Sequence, residues 1–364
     1  MSGIIYRGTR TLIVSYKTGI PIVTIPGHPS SSSQSKFNTT CLADMELARS
    51  SASYQTYSLQ PAHGGRPVHG VRFNASLLAS VGFDGTVHFW SSFGEFENLA
   101  VVSCSKRPLL QVDFYNRGKA VAVASADGNV YLIDAGEAFA LNGALKGHDS
   151  YVNGICNMGE FSVATSSDDY TVRIWDTRED SGSVSMIDLG REATSVAWSD
   201  EQPNQLFCGC LDNLIRCYDT RKLDAPSLTL KFHKDTVTGL SLTPDGRELL
   251  SSAMDGTLAV WDAAPFSARG DRLMHRVNHG LPANDSINDR SLLRCAWTPD
   301  GRFFSSGSGS GSEFVVCMWD RKGQPHRAFP GHAGFVTEVA FHPQEDIMAS
   351  CGMDGRILVG GYRS

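Results

Sequence analysis

Between Lys231 and Asp262 apolar and polar positions alternate in three short blocks. Phe232-His233 opens the stretch, and an apolar run from Val237 to Leu242 reaches a turn at Thr243-Pro244-Asp245-Gly246. Glu248 to Ala253 forms a second run, which ends at Met254-Asp255-Gly256. Thr257 to Val260 forms a third, closed by Trp261-Asp262. Period-two segments of this length, punctuated by Pro, Asp and Gly, predict three antiparallel strands in a meander. Alone, such a meander has an apolar face and nothing to bury it against.

The same pattern returns along the chain, as a fixed-period architecture requires. His148, Asp169 and Trp175-Asp176 repeat the spacing of His233, Asp255 and Trp261-Asp262, short by one residue. His63, Asp84 and Trp90 form another set, and His332 with Asp354 forms a fourth in which Gly360 takes the Trp position. Degenerate copies close at Ile133-Asp134, Tyr218-Asp219 and Trp319-Asp320, the last with Glu313 at the offset of the turn Asp. The closing positions are 90, 133, 175, 218, 261, 319 and 360, in steps of 41 to 43 residues apart from one of 58. Seven units in phase resemble the WD-repeat (Trp-Asp) family, and the resemblance implies an all-β fold, a seven-bladed β-propeller.

Residues 51–364 are expected to form that ring, and residues 1–50 a non-repeat extension that is flexible or binds a partner. Ile4 to Tyr6, Leu12 to Tyr16 and Ile20 to Ile25 are rich in strand formers, and Ser30 to Ser33 reads as a linker. The last unit ends one strand short at Ser364, so Tyr54 to Leu59 is predicted to complete the last blade from the N-terminal side; an open ring would leave long exposed edges. The second and fourth units lack the opening His, with Ser105-Lys106-Arg107 and Gly190-Arg191-Glu192 in its place. The long step predicts an exposed loop over about Asn278 to Asp289, and the alternating Gly307 to Ser312 predicts a long, flexible turn in the sixth unit.

Charge narrows the function. A formal net charge of −6 and a pI of about 6.0 argue against a nucleic-acid groove, which needs clustered Lys and Arg. Nine scattered Cys, without a CxxC pair, read as reduced core thiols. No apolar run reaches 18 residues, so neither a membrane span nor a signal peptide is expected.

Four polar positions recur: a His, a hydroxyl, a carboxylate and an indole. They are His63, Ser80, Asp84 and Trp90; His148, Thr165, Asp169 and Trp175; His233, Ser251, Asp255 and Trp261; and His332, Ser350 and Asp354. Together they superficially match a catalytic triad, but an enzyme needs one such site, not four. In WD-repeat propellers, which the chain resembles, these groups hydrogen-bond in series and pin inner turns to strands, so a structural set is expected. No catalytic residue, cofactor or metal site is expected: His275 and His279 have no third ligand, no GxxxxGK[ST] phosphate loop occurs, and Gly307, Gly309 and Gly311 miss the dinucleotide spacing.

What remains is surface. Family partners usually dock where the His loops and Asp turns emerge. There the residues before the turn Asp include Phe83, Met254 and Met353, and those three after the His include Tyr151 and Phe335. Apolar residues on turn tips predict a partner-binding face made of Phe83, Tyr151, Met254, Phe335 and Met353.

The second half carries a more specific resemblance. It lies in His233-Lys-Asp-Thr-Val-Thr-Gly-Leu-Ser-Leu242, Leu249-Leu-Ser-Ser-Ala-Met-Asp255, Trp261-Asp-Ala-Ala-Pro-Phe266, Leu292-Leu-Arg-Cys-Ala-Trp-Thr-Pro-Asp-Gly301 and Pro330-Gly-His-Ala-Gly-Phe-Val-Thr-Glu-Val-Ala-Phe-His-Pro343. Leu78-Ala-Ser-Val-Gly-Phe-Asp84 in the first unit also fits. These stretches resemble the WD-repeat subunits of the U5 small nuclear ribonucleoprotein, over residues 59–364 and most closely after 228. The resemblance implies a nuclear, non-enzymatic scaffold in pre-mRNA splicing, monomeric within a ribonucleoprotein complex. It would bind the large central U5 scaffold protein and meet RNA only indirectly. The competing class is a substrate receptor of a cullin-type ubiquitin ligase, since Trp175-Asp176-Thr177-Arg178 and Tyr218-Asp219-Thr220-Arg221 fit the Trp-Asp-x-Arg signature of such receptors.

Overall fold

The computed structural model describes residues 3–5, 12–16, 21–24, 56–59, 62–136, 138–179, 182–267, 270–278, 293–310 and 313–363. Seven four-stranded antiparallel sheets form the blades. Blade one is Val68–Phe73, Leu77–Gly82, Thr86–Ser91 and Asn98–Ser103, each strand paired with the next. Blade two runs from Leu109–Tyr115 to Leu141–Lys146, blade three from Val152–Asn157 to Ser185–Asp188, and blade four from Ala193–Ala197 to Leu228–Lys231. Blade five runs from Val237–Leu242 to Leu273–Asn278, and blade six from Cys295–Trp297 to Pro325–His332.

Blade seven contains Val336–Phe341, Ile347–Gly352 and Ile357–Gly361, and its fourth strand is Thr56–Leu59. The register Ile357↔Leu59, Leu358↔Ser58, Val359↔Tyr57 fixes the closure. The expected strand is therefore present, with its described part beginning at Thr56; Tyr54 lies outside the described residues.

Burial explains why the meanders associate. Seven apolar clusters each bridge two successive blades, the last joining blade seven to blade one. Trp175, Trp261 and Trp319 are fully buried in them. Each blade thus supplies half of two cores, and none can bury its faces alone. The inner strands stand side by side around a central axis, blade seven beside blade one.

Blade six departs from expectation. Gly307 to Ser310 is not a loose turn but the continuation of strand Phe303–Ser310, paired from Gly307↔Val316 to Ser310↔Glu313 with strand Glu313–Asp320. A period-two Gly/Ser alternation suits an extended strand, and the small residues let it pass the next blade: a Cβ at Gly307 would meet the Val336 carbonyl oxygen at 2.5 Å. Glu313 is accordingly a strand residue rather than a stand-in for the turn Asp. The expected loop beyond Asn278 and the linker at Ser30 to Ser33 lie outside the described residues. Within residues 1–50, Gly3–Ile5, Leu12–Tyr16 and Pro21–Thr24 pair as a separate three-stranded antiparallel sheet.

Candidate functional site

Hydrogen bonds link the polar sets within their blades. In blade three the Trp175 indole donates to Thr165 Oγ1 at 2.8 Å, Thr165 meets His148 Nε2 at 2.7 Å, and His148 Nδ1 meets Asp169 at 2.7 Å. Donor chemistry orients the chain. A carboxylate only accepts, so the ring proton sits on Nδ1; Nε2 is then the acceptor for the threonine hydroxyl, whose oxygen accepts from the indole N–H. Blade one repeats this through Trp90, Ser80, His63 and Asp84, at 3.0, 2.9 and 2.9 Å. Blade five runs through Trp261, Ser251 and His233, whose Nδ1 meets Thr257 Oγ1 at 3.1 Å and lies 3.4 Å from Asp255, and the Thr257 hydroxyl donates to that carboxylate. In blade seven His332 bridges Ser350 and Asp354 without an indole.

Each carboxylate then holds its turn. Asp255 accepts from the Lys234 amide at 2.8 Å, the Thr257 amide at 2.9 Å and the Thr257 hydroxyl at 2.6 Å. Burial works against ionising Asp84 and Asp255, but the imidazole and threonine donors outweigh it and hold both at about 2. Depressed carboxylates add stability that is present above their unfolded pKa, about 4, and is lost as pH falls towards 2. Asp255→Ala removes the acceptor of the Lys234 amide, the Thr257 amide and the Thr257 hydroxyl, so we expect a loss of about 1–3 kcal/mol. Chemical denaturation at pH 7 measures it, and an unchanged midpoint would contradict the assignment.

The worn blades solve the same problem with other groups. Asp127 in blade two accepts from Ser105 Oγ at 2.6 Å and from the Tyr131 hydroxyl at 2.7 Å. Asp212 in blade four is held bidentately by Arg216, at 3.0 and 2.6 Å. Tyr131 and Arg216 each lie four residues after their turn Asp, on the following strand. The signal for them was in the sequence: in both of these blades, which lack the His, a donor stands four residues after the turn Asp.

A second polar set lies on the axis and escaped the sequence reading. The Arg294 guanidinium, from blade six, donates to the backbone oxygens of His69 at 3.2 Å and Asn153 at 2.8 Å, in blades one and three, and so reaches across the channel. Glu338 from blade seven accepts from the Val71 amide at 3.0 Å and the Gln111 amide group at 3.2 Å. Gln111 Oε1 accepts from the Ile155 amide at 2.8 Å, and Arg72 lies 3.3 Å from Asp113. Burial works against the Arg72 charge, but Asp113 and Glu338 outweigh it and raise its pKa. Arg294 is buried, which lowers its pKa despite the attraction of Glu338. Two guanidinium groups and two carboxylates thus tie blades six, seven, one, two and three at their inner strands. The clue was a charged residue inside an apolar strand, as in Val336–Phe341.

The expected partner face is less exposed than its turn positions imply. Tyr151 is 39% exposed, but Phe83, Met254, Phe335 and Met353 are half-buried. Phe83 stands edge-on to His69 and Phe335 edge-on to Phe314, so both pack partly on the ring. Leu211, at the equivalent turn of blade four, is also 39% exposed. On the opposite termini of the strands, Arg178 folds back bidentately on Asp176 at 2.9 and 2.5 Å and Arg221 does the same on Asp219, so both Trp-Asp-x-Arg matches are internally paired. The eight described cysteines are all free thiols, seven of them buried. No helix among the described residues is long and apolar enough to cross a membrane.

Comparison with known proteins agrees with this architecture. The family model described as "WD domain, G-beta repeat" matches residues 53–91, 140–176, 225–262 and 323–359. The U5 small nuclear ribonucleoprotein 40 kDa protein of Dictyostelium discoideum is 33% identical over 298 residues, 80% of this chain and 81% of its own. The human protein of that name is 34% identical over 290 residues, 79% of this chain and 78% of its own. Pre-mRNA-splicing factor cwf17 of Schizosaccharomyces pombe is 31% identical over 291 residues, 79% and 82% of the two chains. The chain belongs to the WD-repeat family of the U5 small nuclear ribonucleoprotein 40 kDa proteins, and it is a non-enzymatic scaffold.

Proposed function

We propose that this WD-repeat protein is a nuclear subunit of the U5 small nuclear ribonucleoprotein, where it acts in pre-mRNA splicing by holding the large scaffold protein of that particle. Kinship along nearly the whole ring with relatives of that name carries this reading. The docking face is the one bearing Phe83, Tyr151, Met254, Phe335 and Met353. Aromatic and Met side chains are enriched in interface cores, and a partly buried ring needs little further ordering to be covered. Contact with RNA goes through protein, since a chain of net charge −6 offers little counterion release.

Tyr151→Ala with Phe335→Ala tests the face. Central aromatic anchors typically cost about 2 kcal/mol or more on truncation. We expect recovery of the scaffold protein and of U5 RNA to fall together in pull-downs from nuclear extract, while the melting temperature stays near that of the wild type. Full recovery of both by a folded double variant would move the interface elsewhere. Recovery by the wild type of a cullin adaptor in place of splicing proteins would favour the ubiquitin-ligase class.

A further inference from the structure

Blade one holds a residue that its structural relay does not use. His88 follows Asp84 by four positions, where blades three, five and seven carry Arg173, Ala259 and Leu358. Its ring stacks on Trp90, with centroids 5.7 Å apart, and lies 4.1 Å from the ring of His63. Its Nε2 stands 4.0 Å from Asp84 Oδ2.

We propose that His63 Nδ1, an Asp84 carboxylate oxygen and His88 Nε2 form a site for a divalent transition metal, zinc above all. The three ligand atoms lie within 4.8 Å of one another. The edge of a tetrahedral zinc site is about 3.3 Å, given metal–ligand distances near 2.0–2.1 Å, so binding requires His63 Nδ1 and Asp84, now 2.9 Å apart, to open slightly and His88 Nε2, now 4.0 Å from Asp84, to swing inward. Two imidazoles and one carboxylate match the ligand preference of zinc, and three protein ligands leave a fourth position for water. The Thr86 hydroxyl, 2.8 Å from Asp84 Oδ2 and 3.4 Å from His63 Nδ1, borders that position.

The surroundings supply what metal-bound imidazoles need. His63 Nε2 lies 2.9 Å from Ser80 Oγ, so when Nδ1 binds metal the ring proton moves to Nε2 and is donated to that oxygen. His88 Nδ1 faces the Asn98 side-chain amide at 3.0 Å; a half-turn of the amide brings its oxygen there to accept from Nδ1–H. Blade three is the internal contrast, since the guanidinium of Arg173 in place of His88 repels a cation from the same His–Asp pair.

Zinc titration of the full chain by calorimetry, after dialysis against chelator, tests this directly. We expect the wild type to bind one equivalent more than His88→Ala, or to bind at that site at least about 10-fold more tightly. Cobalt in place of zinc should show a low-coordinate visible spectrum that the variant lacks. His88→Ala copies the residue of blade five and should melt like the metal-free wild type; if it does not fold, His88→Tyr, the residue of blade two, replaces it. Equal stoichiometry and affinity in wild type and folded variant, or no binding to the wild type, would overturn the site.

Discussion

Glu338→Ala is expected to destabilise the ring by about 3–5 kcal/mol, the cost typical of breaking a buried charge network by removing one member. Glu338 is 4% exposed. Its loss leaves the Val71 amide and the Gln111 side chain without an acceptor. It also removes a carboxylate that offsets the charge of partly exposed Arg72 and of buried Arg294. Urea denaturation of the variant beside Glu345→Ala, an exposed site in the same blade, measures the difference. A Glu338→Ala protein as stable as Glu345→Ala would show that the axial groups are solvated rather than coupled. Because Arg294 joins blades six, one and three, the loss should fall on the whole transition and not on one blade.

Deleting residues 1–60 should abolish the cooperative melt, whereas deleting 1–50 should leave it. The longer deletion removes Thr56–Leu59, whose Leu59 is 5% exposed in the cluster with Val71, Trp90, Ile357 and Val359. Strand Ile357–Gly361 then presents an unpaired edge, and the core between blades seven and one opens to water. The chain end does not compensate. Arg363 ties it to Asp300 in blade six and to Asp346 at 3.0 Å, but these exposed pairs contribute little. Calorimetry and size-exclusion chromatography of both truncations check this, and an unchanged transition after the longer deletion would refute the role of the strand as a clasp.

The sequence by itself determined the number of blades, the closing strand and the four hydrogen-bonded sets. Those features are local or periodic: a His, an Asp and a Trp at fixed spacing on one hairpin read the same in any blade, and the alternating segment before the first unit pairs with strand Ile357–Gly361. The Gly/Ser stretch from Gly307 was misread because turn residues and a small-residue strand share a composition, and only pairing with Val315 and Val316 distinguishes them. The partial burial of Phe83 and Phe335 depended on His69 and Phe314, which belong to other segments of the chain. The axial network was decided by tertiary structure alone. Arg72, Gln111, Asp113, Arg294 and Glu338 come from four different blades at separations no periodicity encodes. Closing the ring brings their inner strands within hydrogen-bonding distance, and the low dielectric of that axis forces every charge there to find a partner.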